Sequence, residues 1–112
     1  MNSKPIVFSV SQGDYSPVFS LRQITVADDS NFIQKFIDIA DKEGEEKADA
    51  MYQIKVETLA EWATSCPKKK DALDTPEKVR EFFADADVDK DWISDAAINT
   101  HRARHQPTVS FF

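Results

Sequence analysis

Glycine is scarce in this chain of 112 residues, which contains only Gly13 and Gly44. Phosphate-binding loops of the types G-x-x-x-x-G-K-[ST] and G-x-G-x-x-G need glycines at close spacing, and these two lie too far apart for either motif. Collagen-like chains and glycine-rich linkers are excluded because they need a much higher glycine content. Nucleotide binding through a glycine-rich phosphate loop is therefore not expected.

Cysteine and histidine are also rare, with Cys66 as the single cysteine and His101 and His105 as the two histidines. One thiol cannot form an intramolecular disulfide, and no Cys/His quartet is present for a structural zinc ion. The histidines have the i, i+4 spacing of a helical zinc site, but neither a third ligand nor an H-E-x-x-H core accompanies them. We expect a solvated C-terminal helical turn at this position.

The same scarcity argues against catalysis. A nucleophilic site would need one of the two histidines as its base, and nothing in the sequence links Cys66 to either of them. We therefore predict that the protein is not an enzyme, and that it has neither a cofactor nor a metal ion.

Long apolar runs are absent from the sequence. No stretch approaches the roughly 18 consecutive apolar residues of a membrane helix. The first apolar run, Ile6–Val10, is also shorter than the apolar region of a secretory signal. We expect a cytoplasmic protein, and a lone cysteine fits a reducing compartment.

Positive charge is in deficit, because 14 Lys and Arg stand against 20 Asp and Glu, giving a net charge of −6. Phosphate neutralisation requires a basic surface, so general nucleic-acid binding is not expected. The basic run Lys68–Lys70 is interpreted as a solvated loop, since nucleic-acid footprints gather more basic residues.

Acidic residues alternate along residues 85–91, as they do at the start of a calcium-binding loop. The four are Asp85, Asp87, Asp89 and Asp91. An EF-hand also needs glycine at position six and glutamate at position twelve, and those positions hold Lys90 and Ala96. We interpret the acids as the end of one helix and the start of the next.

The N-terminal third predicts a β-hairpin. Residues 5–10 and 18–24 are rich in β-branched and aromatic residues, and a turn-rich cluster at 11–17 separates them. In the second strand Phe19 and Leu21 alternate with Ser20 and Arg22, so one face should pack on the rest of the chain.

Four helices are predicted after the hairpin. The first follows the caps at 25–30 and ends at Gly44, and the second covers about 45–65. The third begins at the D-T-P-E sequence of 74–77. The fourth runs from Asp91 to Pro107, and the residues predicted to face inward are Trp92, Ile93, Ala96 and Ala97. The predicted fold class is α+β and mostly helical, with an N-terminal β-hairpin packed on a bundle of about four helices. We expect residues 1–112 to form one domain, with flexible ends at 1–4 and 108–112.

Aromatic residues are numerous for a small domain, and two interpretations of them stay open. Either all of them are core, or some form an exposed patch that binds a partner. The candidates for partner binding lie on the first two helices: Phe32, Phe36, Tyr52 and Trp62. The aliphatic residues expected to fill the core between those helices are Ile33, Ile37, Val56 and Leu59.

The segment Val18–Thr25 is followed by an acidic amphipathic helix, a long helix, a proline break and the D-T-P-E helix start. Over roughly residues 18–105 this order resembles the tail assembly chaperones of long-tailed bacteriophages. The resemblance implies a protein in the host cytoplasm that binds the tape measure protein, a long helical chain rich in apolar surface. It would keep that chain soluble before the tail tube polymerises.

The sequence leaves a second class of function open. An acidic protein-binding inhibitor of phage or bacterial origin, mimicking DNA with carboxylates, would use the four aspartates of 85–91 as its face. Such a mimic is expected to have a denser charge than −6 over 112 residues. Self-association through the apolar surface is also compatible with the pattern.

Overall fold

The computed structural model describes residues 4–85 and 90–104, and within them a two-stranded hairpin precedes four helices. The strands are β1 (Ile6–Ser9) and β2 (Val18–Leu21), and the helices are α1 (Val26–Asp38), α2 (Gly44–Trp62), α3 (Pro76–Ala84) and α4 (Asp91–Arg104). The prediction of an α+β, mostly helical fold with an N-terminal hairpin is confirmed. Among the sequence features discussed above, Asp87, Asp89, His105, Pro107 and the flexible ends (apart from Lys4) lie outside the described residues.

Strand β2 is hydrogen-bonded along both of its edges. β1 lies antiparallel along one edge, with Phe8 opposite Phe19. On the other edge the amide of Thr64 donates to the carbonyl of Ser20 at 3.0 Å, in the connector that follows α2. The amide of Leu73 donates to the carbonyl of Val18, also in β2, at 2.7 Å. The hairpin is therefore built into the helical part of the molecule through its second strand.

Both faces of β2 are covered, which differs from the one-sided packing that the sequence predicted. Phe19, Ser20 and Leu21 are all fully buried. Ser20 is accommodated because its hydroxyl donates to the carbonyl of Thr64 at 2.8 Å, which satisfies the polar group inside the protein.

The core lies between the hairpin and the helices and is rich in aromatic side chains. Its largest fully buried hydrophobic members come from β2, α2, α3 and α4: Trp62, Phe19, Leu21, Leu59, Ile93, Ile98 and Val79. Trp92 was predicted to face inward but is 51% exposed, because the inward face of α4 follows Ile93, Ala97 and His101 at steps of four residues.

The sequence suggested that Gly44 ends α1, but it does not. α1 ends at Asp38, and Gly44 is instead the first residue of α2, with a φ of +61°. This left-handed conformation is one that glycine adopts without strain. The turn between α1 and α2 therefore occupies residues 39–43.

Helix α2 is shorter than predicted, ending at Trp62 rather than near Ser65. The reason is tertiary, because the amide of Arg22 donates to the carbonyl of Trp62 at 2.7 Å and the following residues pair with β2. The start of α3 is as predicted, with Thr75 accepting a hydrogen bond from the amide of Lys78 and Pro76 in the first turn.

Candidate functional site

Helix α1 leaves part of its apolar face uncovered. Val26 is 71% exposed, Ile33 43% and Ile37 58%, whereas Phe32 on the same helix is buried. The exposed residues are spaced by seven and four positions, so they follow one line along the helix surface. We call Val26, Ile33 and Ile37 the α1 stripe.

The expectation that Ile33 and Ile37 fill the core is wrong. α1 packs on α2 through its aromatic side, where the ring centroids of Phe32 and Trp62 are 6.0 Å apart and those of Phe32 and Phe36 are 5.0 Å apart. Aromatic rings bury more apolar area per residue than aliphatic side chains, which favours this rotation of the helix. The isoleucines are left at the boundary with solvent.

The four aromatic residues proposed for partner binding do not form one exposed surface. Phe32 is buried and Trp62 is 1% exposed, so both belong to the core. Phe36 is half-buried beside Phe32. Tyr52 is also half-buried, but it lies against α3, where its hydroxyl donates to the carbonyl of Phe83 at 3.2 Å.

The first turn of α1 is anchored by two arginines. Arg22 binds Asp28 at 2.9 Å, and Arg102 of α4 binds Asp29 at 2.6 Å. Asp28 also completes a capping box with Thr25, whose amide donates to its carboxylate at 2.8 Å. The hydrogen bond from Arg22, followed by that from the Thr25 amide, holds the pKa of Asp28 far below its usual range. The stripe therefore lies on a helix that is firmly positioned at its N-terminal end.

A concave surface of about 550 Å³ lies between α2 and the region where α3 ends and α4 begins. Its apolar lining includes Met51, Tyr52 and Phe83. Two lysines also line it, and both are buried: Lys55 and Lys90.

Both lysines of this concave surface are engaged. The ammonium of Lys55 is 2.8 Å from a carboxylate oxygen of Asp91. That of Lys90 donates to the carbonyl of Phe82, lies 4.3 Å from the centre of its ring, and is 3.8 Å from Asp85. These contacts hold the end of α3 and the start of α4 against each other and against α2, so we assign the lysines a structural role. Asp85 and Asp91 lie at the helix ends, as the sequence predicted.

His101 is fully buried, so the expectation that it lies on a solvated turn is wrong. Its Nε2 donates to the carbonyl of Arg22 at 3.0 Å, and its ring centroid is 5.5 Å from that of Trp62. The i, i+4 periodicity from Ile93 through Ala97 was the signal for this placement. His101 is therefore a core residue that joins α4 to the end of the hairpin.

Other chemical features of the chain point to structure. Cys66 is a buried free cysteine, and its amide donates to Asp74 at 3.2 Å. Lys68–Lys70 are exposed in the connector between α2 and α3. In the part of the chain that the structure describes, no three His, Cys, Asp or Glu residues come together in a group able to hold a metal ion. Across residues 4–85 and 90–104, no helix combines the length and the apolar character needed to cross a membrane.

No family model matches the chain, and neither a curated protein nor a solved structure matches it. The α1 stripe, with its geometry and its surroundings, is therefore the feature on which a functional proposal rests.

Proposed function

We propose that the protein is a non-enzymatic binding protein that captures an amphipathic helix of a protein partner on the α1 stripe. The observation that carries this proposal is the exposure of Val26, Ile33 and Ile37 in one line, on a helix whose two aromatic side chains, Phe32 and Phe36, pack on the core. Ile33 and Ile37 lie one turn apart and form an apolar patch, and apolar patches rimmed by polar residues are typical of interaction sites in soluble proteins. A partner helix with its own apolar face would cover the stripe and bury it from water.

In the setting that the resemblance implies, the protein is a phage tail assembly chaperone, and its partner is the tape measure protein. The hairpin followed by helices, with a long helix and a D-T-P-E helix start, supports this assignment. The contacts would be made by the α1 stripe, with the half-buried Phe36 at its edge. Phe32 and Trp62 would hold α1 on the core without contacting the partner.

The alternative of a DNA mimic has less support. Of the four aspartates that would form its face, Asp91 lies 2.8 Å from Lys55 and Asp85 lies 3.8 Å from Lys90. Opposite charges at these distances reduce the negative potential that a mimic must present.

The proposal is tested by placing a charge on the stripe. Ile33→Asp should weaken binding of an amphipathic helical peptide, or of a tape measure protein encoded in the same genome, by at least about tenfold, since loss of an interface anchor costs about 2 kcal/mol. Asn31→Asp is the matched control, because it adds the same charge to the same helix at an exposed position on the other side.

Asn31→Asp should unfold at nearly the wild-type temperature because its position is exposed, whereas Ile33→Asp should stay folded with a melting temperature a few degrees lower, since Ile33 is 43% exposed and loses its remaining apolar burial. If the two variants bind equally well, or if the wild-type protein binds neither probe, the stripe is not the binding surface.

A further inference from the structure

The negative charge of the molecule is concentrated next to one end of the α1 stripe. Residues 38–49 contain six acids and two lysines, a net of −4 within a chain whose net charge is −6. All six carboxylate-bearing residues are exposed: Asp38, Asp41, Glu43, Glu45, Glu46 and Asp49. We call residues 38–49 the acidic segment.

Most of this charge is not compensated by neighbouring groups. Within residues 4–85 and 90–104, only one of the six acids, Glu46, has an ion-pair partner, Lys42 at 2.9 Å. The other lysine, Lys47, directs its ammonium to the carbonyl of Ala40 at 3.4 Å. A field of one sign therefore extends over this part of the surface.

The acidic segment follows directly on the last residue of the stripe. Val26 and Ile37 are eleven positions apart, so the stripe is about 16 Å long. Asp38 and Asp41 come immediately after Ile37, and the carboxyl end of a helix adds a partial negative charge of its own. At the other end of the stripe the charges are paired, as Arg22 binds Asp28 and Arg102 binds Asp29. Among the described residues, negative charge is therefore unpaired at the carboxyl end of the stripe and paired at its amino end.

We propose that the occupant of the stripe is an amphipathic helix whose apolar face ends in a cluster of lysine or arginine residues, which lies over the acidic segment. This inference rests on the proposed function and specifies the partner's chemistry and direction. Charges arranged in this way would steer the partner on approach and fix its orientation.

The charge distribution disfavours a second copy of this chain as the occupant. If two α1 helices paired in parallel, their acidic segments would meet and repel each other. If they paired antiparallel, each acidic segment would meet the N-terminal end of α1, where the arginines are already bound to Asp28 and Asp29. Neither arrangement supplies free positive charge.

The test compares two synthetic helical peptides that share one apolar stripe and differ at one end, where one has a run of lysines and the other a run of glutamates. At low salt the lysine peptide should bind roughly tenfold more tightly. The difference should shrink as salt is added, because exposed charges are screened.

A charge-neutralising variant locates the effect. Asp38→Asn, Asp41→Asn and Glu43→Gln together should remove most of the preference for the lysine peptide. The matched control changes the net charge equally at exposed positions on other elements, with Asp14→Asn, Asp71→Asn and Glu81→Gln, and it should keep the preference.

The outcomes separate the two proposals. If both peptides bind equally and Ile33→Asp weakens both, the stripe binds helices but the inference about charge is wrong. If neither peptide binds wild-type protein, the proposed function itself fails. If sedimentation shows a dimer that Ile33→Asp dissociates, the occupant is a second copy and the inference is overturned.

Discussion

Arg22 connects three helices to the end of the hairpin. Its guanidinium binds Asp28 of α1, its amide donates to Trp62 at the end of α2, and its carbonyl accepts from His101 of α4. The sequence indicated the capping residues at the start of α1, but it did not indicate the contacts of Arg22 with α2 and α4, because those partners are distant along the chain. His101 can be buried because its ring donates to the carbonyl of Arg22, and the spacing of residues along α4 does not reveal that partner.

A pH-dependent contribution to stability is expected from Asp28. Because its pKa is lowered in the folded state by Arg22 and the Thr25 amide, its stabilisation is complete above the ordinary value of 3.8 and is lost as the pH falls toward the lowered folded-state value. Asp28→Asn should therefore reduce the free energy of unfolding by about 1 kcal/mol at neutral pH. Urea unfolding measured at several pH values should show that this deficit shrinks below about pH 4.

Asp38→Asn is the control for that measurement, because it removes an exposed carboxylate from the other end of the same helix. Its effect should be small at every pH. A constant deficit for Asp28→Asn across the acid range would show that the carboxylate charge does not contribute to the cap.

At the scale of the element, the orientation of α1 is the main point where sequence and structure differ. Phe32, Ile33, Phe36 and Ile37 form a broad apolar face at helical spacing, and this spacing does not say which part of the face meets α2. Contact with Trp62 decides it in favour of the aromatic side. The start of α3 was predictable because its signals, Thr75 and Pro76, act locally.

The turn between α1 and α2 provides a test at the same scale. Gly44→Ala should destabilise the protein by about 1 kcal/mol, since a residue with a Cβ is strained at positive φ. Gly44→Asn should cost less, because asparagine tolerates the left-handed conformation. Apart from the chain neighbours and the backbone of α2 itself, no atom of residues 4–85 and 90–104 would lie within 4 Å of the added Cβ, so a clash with the rest of the protein does not contribute. Equal stability of all three proteins in thermal unfolding would contradict the left-handed turn.

At the scale of the whole molecule, the apolar and acidic surfaces are arranged around one helix. The core takes up Trp62 and Phe32, and the α1 stripe stays exposed next to the acidic segment. The composition predicted a single acidic domain, and the aromatic content left open whether all aromatic side chains are core or some form an exposed patch. Neither indicated which apolar residues would remain outside, because that depends on how the hairpin and three other helices share the available faces.

The most direct test of helix binding on the α1 stripe is an NMR comparison of the free protein and the protein bound to an amphipathic helical peptide, following the methyl groups of the stripe. We expect the largest chemical-shift changes at Val26, Ile33 and Ile37. Met51, in the concave surface between α2 and the α3–α4 region, should change little. Changes centred on Met51 with the stripe unaffected would contradict binding on the stripe and would place it in that concave surface instead.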